Sequence, residues 1–236
     1  MMSIASIPVL AIDGPGGTGK GTVSARIARQ LGWNILDSGA LYRAFAFVAK
    51  ERNIQPDDVD GIKSIDPKNE FLLELPSRGD MRISVSDRDI SGLIRSEYAG
   101  KLASVYAAAP AVRDALIKHQ REFRKPPGLV ADGRDMGTVV FPDALLKVFL
   151  DASAKVRAER RYNQLKSKDF NVNLLSLEQQ IAERDRRDTH RTIAPLVPAH
   201  DAVVIDTSRM TIEEVVEEVG YVLNLRLCDV GRSELS

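Results

Sequence analysis

The sequence predicts an α/β fold, with a parallel sheet of five strands and helices on both faces. Three observations predict this fold: five short apolar runs that end in aspartate, helical patterns between most of them, and a glycine-rich loop after the first run. Apolar strands that alternate with helices are typical of a parallel sheet, because the helices bury both of its faces. The predicted strands cover residues 8–13, 33–37, 128–132, 145–151 and 202–206.

The glycine-rich loop follows the first strand and leads into a helical pattern of apolar residues. Glycines allow backbone N–H groups to turn inward, and the N-terminus of the next helix favours anions, so the loop predicts a P-loop that binds nucleoside triphosphate. Lys20 is expected to reach the β- and γ-phosphates. Gly21 stands where P-loops commonly have a hydroxyl, and the hydroxyl follows at Thr22. The predicted loop consists of Gly14, Pro15, Gly16, Gly17, Thr18, Gly19, Lys20, Gly21 and Thr22.

The predicted strands end at the edge of the sheet where parallel α/β proteins bind ligands. The aspartates at this edge are Asp13, Asp37, Asp132, Asp151 and Asp206. For Asp13, Asp151 and Asp206 we expect turn or capping roles. Ser38 and Arg43 follow the second strand at a helix entrance, where they either hold an anionic group or form a capped helix start with a surface arginine.

The residues after the third strand, Ala131-Asp-Gly-Arg-Asp-Met-Gly137, place two aspartates and an arginine in a glycine-flanked turn. Charges rarely cluster at such an edge unless a ligand or a metal compensates their desolvation. We expect Asp132 to orient Mg²⁺, directly or through water. Arg134 and Asp135 are then expected to face a second substrate.

Two helical segments after the fourth strand are rich in arginine. Each has one charged face, because residues three, four or seven positions apart lie on the same side of a helix. The first face carries Arg157, Arg160 and Arg161, and the second carries Arg184, Asp188 and Arg191. Such charges are commonly solvated surface, but a site of phosphoryl transfer needs cations for its phosphates. We favour ligand binding for the second face.

The segment 66–100 interrupts the α/β pattern. Its short runs at 72–75 and 81–85 flank turn residues at 76–80 and predict a small antiparallel sheet. This lobe is either a substrate-covering domain or a decorative insertion. Near the C-terminus, a capping box at Thr211 predicts a helix through Leu225, followed by a frayed tail from Asp229.

Composition limits the classes of protein. The chain has 236 residues, 44% of them hydrophobic, which suffices for one domain with an inserted lobe. Its 33 basic and 33 acidic residues balance, so a general nucleic-acid binder is not expected. Cys228 is the only cysteine, which excludes intramolecular disulfides, and the three histidines lack metal-ligand spacing. No apolar run reaches the ~18–20 residues of a membrane span. We therefore expect a cytoplasmic monomer without a membrane or nucleic-acid partner.

Together these segments resemble the bacterial cytidylate kinases, which are P-loop nucleoside monophosphate kinases. The resemblance rests on residues 12–22, 36–43, 131–142, 148–152, 183–185 and 194–198, and so covers nearly the whole chain. Gly-Lys-Gly-Thr is the monophosphate-kinase form of the loop, which accounts for Gly21. The resemblance implies that the γ-phosphoryl group of ATP is transferred to CMP or dCMP, with Mg²⁺ as cofactor. It implies a kinase core of residues 1–65 and 101–236, with a short lid at about 155–170, and an inserted CMP-binding lobe at 66–100.

The resemblance also implies roles for individual residues. Arg157 and Arg161 join the loop in binding ATP. The acceptor phosphate is held by Ser38, Arg43 and Arg134, the base by Ser104, Arg113 and Asp135, and the sugar by Arg184 and Asp188, with Arg191 near the phosphates. The catalytic cations are Lys20, Arg134, Arg184 and Arg191. Asp132 is the implied Mg²⁺ residue, with Thr22 as a further candidate.

Two other functions stay open at the level of sequence. A P-loop kinase of another small metabolite would use Asp37 or Asp132 as a base for an alcohol acceptor. A nucleotide-gated switch is less favoured, because the chain has no Asn-Lys-x-Asp motif for guanine. The arginine face at 184–191 would also lack a purpose in a switch.

Overall fold

The structure is a computed structural model, and it describes residues 7–76, 81–167 and 172–233. The strands are β1 (Val9–Asp13), β2 (Asn34–Asp37), β3 (Phe71–Glu74), β4 (Arg82–Val85), β5 (Arg88–Asp89), β6 (Leu129–Asp132), β7 (Leu146–Asp151) and β8 (Val203–Asp206). The helices are α1 (Lys20–Leu31), α2 (Ser38–Glu51), α3 (Val59–Lys63), α4 (Pro67–Glu70), α5 (Ser91–Ile94), α6 (Glu97–Tyr106), α7 (Pro110–Arg121), α8 (Ala154–Lys166), α9 (Leu174–His190) and α10 (Ile212–Ser233). A π-helical turn covers Met136–Val140.

The main sheet has five parallel strands in the order β2-β6-β1-β7-β8, so the predicted fold class is confirmed. Each strand begins one residue later than predicted and ends at the predicted aspartate. β1 lies at the centre, and all five of its residues are buried. Its side chains alternate between two core clusters. Because β1 is the central strand, the glycine loop that follows it lies at the middle of the carboxyl edge of the sheet.

Helices cover both faces of the sheet. Val9 and Ala11 of β1 belong to the cluster formed with α2, α6 and α7, whereas Leu10 and Ile12 belong to the cluster formed with α1 and α10. This arrangement explains why β1 reads as a continuous apolar run, since neither face of a covered parallel strand meets water.

The segment 66–100 contains the predicted small antiparallel sheet, in the order β3-β4-β5. Phe71 of β3 packs edge-to-face on Phe45 of α2, with ring centroids 6.4 Å apart, so the small sheet is fixed to a helix of the main layer. Residues 77–80 of the predicted turn lie outside the described residues, and so do residues 168–170 of the predicted lid. The division into a core, a lid and a CMP-binding lobe stays a prediction.

α10 continues to Ser233, so the predicted helix end at Leu225 is wrong, and residues 229–233 of the predicted frayed tail are helical. Residues 234–236 of that tail lie outside the described residues. The helix continues because Leu223 is buried and Leu227 packs against the same cluster one turn further on. Its start is the predicted capping box, in which the Glu214 N–H donates to Thr211 Oγ1 at 3.2 Å. Within the described ranges, no helix is long and apolar enough to span a membrane.

Candidate active site

The glycine loop joins β1 to α1, and a hydrogen bond between Lys20 and Pro15 connects its two ends. Gly14, Gly17 and Gly19 have φ angles of 141°, 86° and 94°, in the region that side chains rarely adopt. A Cβ on Gly14 would also lie 2.0 Å from the carbonyl oxygen of Leu150, so this position requires glycine. Lys20, the first residue of α1, donates from Nζ to the carbonyl oxygen of Pro15 at 2.9 Å. The N-terminus of a twelve-residue helix and one lysine thus face the space above the loop.

Lys20 is buried among other cations. Its side chain is 5% exposed, and burial lowers its pKa to about 7. Arg134 and Arg184 act in the same direction as burial, while Asp132 opposes them. An anionic group above the loop would reverse this effect, because a nearby negative charge stabilises the ammonium form.

A cavity of about 300 Å³ lies above the loop. Eleven residues from the predicted site line it: Gly16, Gly17, Gly19, Lys20, Gly21, Thr22, Arg43, Asp132, Arg134, Arg161 and Arg184. A second cavity of about 830 Å³ shares Thr22, Arg43, Asp132 and Arg161 with the first and extends toward Met81 of the inserted segment. The structure therefore brings the loop and arginines from four different parts of the chain around one space.

Arg43 and Arg184 have donor atoms without partners in the described part of the chain. Arg43 donates from Nη1 to the carbonyl oxygen of Ile94 at 3.2 Å, but its buried Nε has no hydrogen-bond acceptor there. Arg184 Nε is also buried without a hydrogen bond, and Asp188 Oδ2 lies 3.7 Å from it. Burial lowers the pKa of Arg184 to about 10, and Arg134 acts in the same direction. Since buried donors without acceptors are costly, this arrangement favours an anionic ligand.

Asp132 and Asp37 lie side by side at the carboxyl ends of β6 and β2. Burial raises the pKa of Asp132 to about 6, Lys20 opposes this effect and Asp37 adds to it. Asp132 Oδ2 lies 3.3 Å from the place that a Cβ on Gly21 would occupy, so any side chain at residue 21 would crowd this carboxylate. Among the residues that the structure describes, no three or more His, Cys, Asp or Glu side chains form a metal cluster. The pair nevertheless fits Mg²⁺, which commonly binds one or two carboxylates together with phosphates.

The predicted base residues and Asp188 form a buried network beside the cavity and do not line it, whereas Arg184, the other predicted sugar residue, does line it. Asp188 accepts from Ser104 Oγ at 3.0 Å and from Arg134 Nε at 3.4 Å. Asp135 is 2% exposed and accepts a hydrogen bond from Arg113 Nη2. The network thus pairs the groups that the sequence assigned to the base and to the sugar.

Two further predicted residues, Arg191 and Ser38, line neither cavity. Arg191 Nη2 is buried without a hydrogen bond, 3.9 Å from Asp135 Oδ1. Ser38, the first residue of α2, is 3% exposed and lines neither cavity. The carboxylate of Asp37 caps this helix by accepting from the Ala40 N–H at 2.9 Å.

Arg157 contacts the backbone of the glycine loop. It donates to the carbonyl oxygens of Ala152 at 2.8 Å and Gly16 at 3.0 Å, and to Asp185 Oδ2 at 2.5 Å. Because protein oxygens engage all three of these nitrogens, its contacts hold Gly16 in place. The prediction that Arg157 binds ATP stays a prediction.

Arg161 joins α8 to the start of α6. It donates from Nε to Glu97 and from Nη2 to the carbonyl oxygen of Arg95 at 3.0 Å. Neither Glu97 nor Asp185 was predicted as a site residue. Their pairing with Arg161 and Arg157 spans 64 and 28 positions, and no local pattern signals contacts of that kind.

A P-loop at the centre of a parallel sheet, a buried lysine and arginines that converge on the same cavity define a P-loop kinase. Two comparisons with known proteins then narrow this class. The cytidylate kinase family profile matches residues 10–224. The cytidylate kinase of Methylococcus capsulatus is 56% identical over 212 residues, which cover 90% of this chain and 95% of that protein. The cytidylate kinase of Pseudomonas aeruginosa is 52% identical over 216 residues, which cover 91% and 94%.

The chain belongs to the cytidylate kinase family, as its motifs predicted. Likeness to solved structures is weaker. A gluconokinase from Sinorhizobium meliloti aligns over 96% of this chain and 97% of its own, with 16% identity and a TM-score of 0.47.

Proposed function

We propose that this protein transfers the γ-phosphoryl group of ATP to CMP or dCMP and releases ADP with CDP or dCDP. The bond that forms joins an oxygen of the acceptor phosphate to the γ-phosphorus. The bond that breaks joins the γ-phosphorus to the β–γ bridging oxygen, which leaves with its electron pair on ADP. The convergence of Lys20, Arg43, Arg134 and Arg184 on one cavity carries this proposal.

The donor side of the site is the loop with Lys20. Backbone N–H groups and the ammonium of Lys20 would hold the β- and γ-phosphates. Phosphate oxygens would restore the charged form of Lys20, whose pKa is lowered to about 7 by burial and by the neighbouring arginines. The Nε atoms of Arg43 and Arg184, which make no hydrogen bond within the described residues, would supply donors for the acceptor phosphate and the transferred group.

No general base is required, because the nucleophile is already an anionic phosphate oxygen. Catalysis then consists of in-line positioning and stabilisation of negative charge by the cations. Asp132, with Thr22 at the edge of the cavity, would hold Mg²⁺. The bound ion would neutralise part of the negative charge of the phosphates.

Recognition of cytosine is assigned to Ser104, Arg113 and Asp135. Cytosine presents an amino donor beside two acceptors, which a carboxylate and an arginine complement. Asp135 Oδ1 has no close hydrogen bond to Arg191, so it is the oxygen that would accept from the cytosine amino group. Uracil would place a carbonyl oxygen opposite this carboxylate, and the buried mispairing would reject UMP. CMP must separate part of the buried network to enter.

The test is a coupled ADP-release assay with Mg-ATP and each of CMP, dCMP, UMP, AMP and GMP. Fast turnover with CMP and dCMP, and slow turnover with UMP, is the expected result. A preference for AMP or UMP would remove the base-recognition roles of Ser104, Arg113 and Asp135. No turnover with any of the five nucleotides would favour a kinase of another small metabolite. The cytoplasmic location and the monomeric state stay predictions.

A further inference from the structure

Asp13 is a buried carboxylate to which the mechanism above gives no role. It is the last residue of β1, directly before the loop, and it is 5% exposed. It does not line the cavity above the loop. Its side chain contacts the π-helical turn that follows β6: Oδ1 accepts from the Met136 N–H and Oδ2 from the Gly137 N–H, both at 2.8 Å.

These two hydrogen bonds join the two halves of the site. The loop that begins at Gly14 is the donor half, and residues 133–137, which include Arg134 and Asp135 and are called the acceptor turn below, belong to the acceptor half. Only one other hydrogen bond ties this turn directly to β1 among the described residues, from the Gly133 N–H to the carbonyl oxygen of Ile12 at 3.0 Å. That contact precedes Arg134 in the chain, whereas the contacts of Asp13 follow Asp135. Arg134 and Asp135 are therefore held from both sides.

A carboxylate fits this position, because each of the two N–H groups is accepted by a different oxygen of Asp13. In the same arrangement an amide would present one oxygen and one NH₂ group. Burial raises the pKa of Asp13 to about 7, while both backbone hydrogen bonds stabilise its charged form and so oppose this shift. Asp135 acts in the same direction as burial, and Lys20 opposes it. If Asp13 did no more than end the strand, an apolar residue could take its place.

We propose that Asp13 is a positioning residue that fixes the acceptor turn against the phosphate loop and thereby sets the in-line geometry of the two substrates. The inference rests on the proposed function. The loop and the turn each keep their own ligand contacts without Asp13, but their mutual position is lost. A displacement of about 1 Å between reacting groups is enough to lower the rate about a hundredfold.

The test compares Asp13→Asn with wild type in CMP kinase turnover and in binding of each nucleotide alone. Asparagine keeps the shape but presents an NH₂ group to one of the two N–H donors. We expect kcat to fall by roughly ten- to a hundredfold. The Kd values of ATP alone and of CMP alone, measured by isothermal titration, should change by less than about threefold, because neither half of the site loses a ligand contact.

Val219→Ala is the control for lost stability. Val219 is fully buried in the α1–α10 cluster, away from the turn, so its truncation should lower Tm and leave kcat unchanged. Asp13→Ala is the second variant, and it should show the same separation of kcat from Kd without introducing an amide donor.

A folded Asp13→Asn enzyme with kcat within twofold of wild type would overturn the proposal. So would a loss of kcat matched by equal losses of nucleotide binding, or the failure of both Asp13 variants to fold, since either result assigns Asp13 to general stability. A wild-type enzyme that is inactive on CMP would instead refute the proposed function, so the two failures are distinguishable.

Discussion

Replacement of Asp135 by Asn tests how the site recognises its base. In the structure one carboxylate oxygen accepts from Arg113, and the other lies 3.9 Å from Arg191. Asparagine can keep its oxygen toward Arg113 and present its NH₂ group where the cytosine amino group is expected. The variant therefore exchanges an acceptor for a donor at a site that is 2% exposed.

The size of the effect follows from the lost hydrogen bond. A hydrogen bond to a charged group contributes about 1.5–3 kcal/mol, so kcat/KM for CMP should fall roughly 10- to 150-fold. UMP should gain, because its carbonyl oxygen now meets a donor. The ratio of kcat/KM for CMP over UMP should therefore fall by more than the roughly 10- to 150-fold loss expected for CMP alone.

The assay is steady-state ADP release with CMP and UMP at saturating Mg-ATP, together with thermal unfolding of both proteins. Asp114→Asn is the matched control, since this exposed aspartate lies one residue beyond Arg113 on α7 and lines neither cavity above the loop. An unchanged CMP/UMP ratio in a folded Asp135→Asn enzyme would refute the assignment of this carboxylate to the base.

Three further predictions concern the cations of the cavity. Lys20→Met should lower kcat by about 10²–10³-fold without lowering Tm, because it removes a buried charge together with a donor, and wild-type turnover would contradict its role. Arg184→Ala should raise the KM for CMP by about tenfold, while replacement of its exposed neighbour in Arg186→Ala should not. Equal kinetics in the two variants would show that this helix face is ordinary solvated surface. ATP binding should take up protons at pH 8 and fewer at pH 6. Burial lowers the pKa of Lys20 to about 7 in the free enzyme, so the side chain is mostly neutral at pH 8 until phosphates stabilise its charged form. Titration calorimetry in buffers of different ionisation enthalpy measures this uptake, and its persistence in Lys20→Met would show that another group is responsible.

The sequence predicts the scaffold well because its signals are local. Apolar runs ended by aspartate mark all five main strands, and a spaced set of glycines with Lys20 marks the loop. The contacts that connect parts of the site are different in kind. Asp13 reaches residues 136 and 137, and Arg161 reaches Glu97, and neither partner is visible in the sequence around the other. The predicted end of α10 was wrong for the same reason, since Leu227 packs against a cluster that is formed by distant parts of the chain.

The central position of β1 has a consequence for the synthesis of this protein. β1 pairs with β6 and β7, and Leu10 must wait for Leu146, 136 positions later in the chain. At about 5–20 residues per second, the ribosome needs roughly 7 to 27 s to supply that partner. During most of this interval, until β6 has been made, β1 has no neighbouring strand with which to pair. The main sheet is therefore complete only after β8, which ends at Asp206, has been made, and a fragment that ends before β6 cannot assemble it.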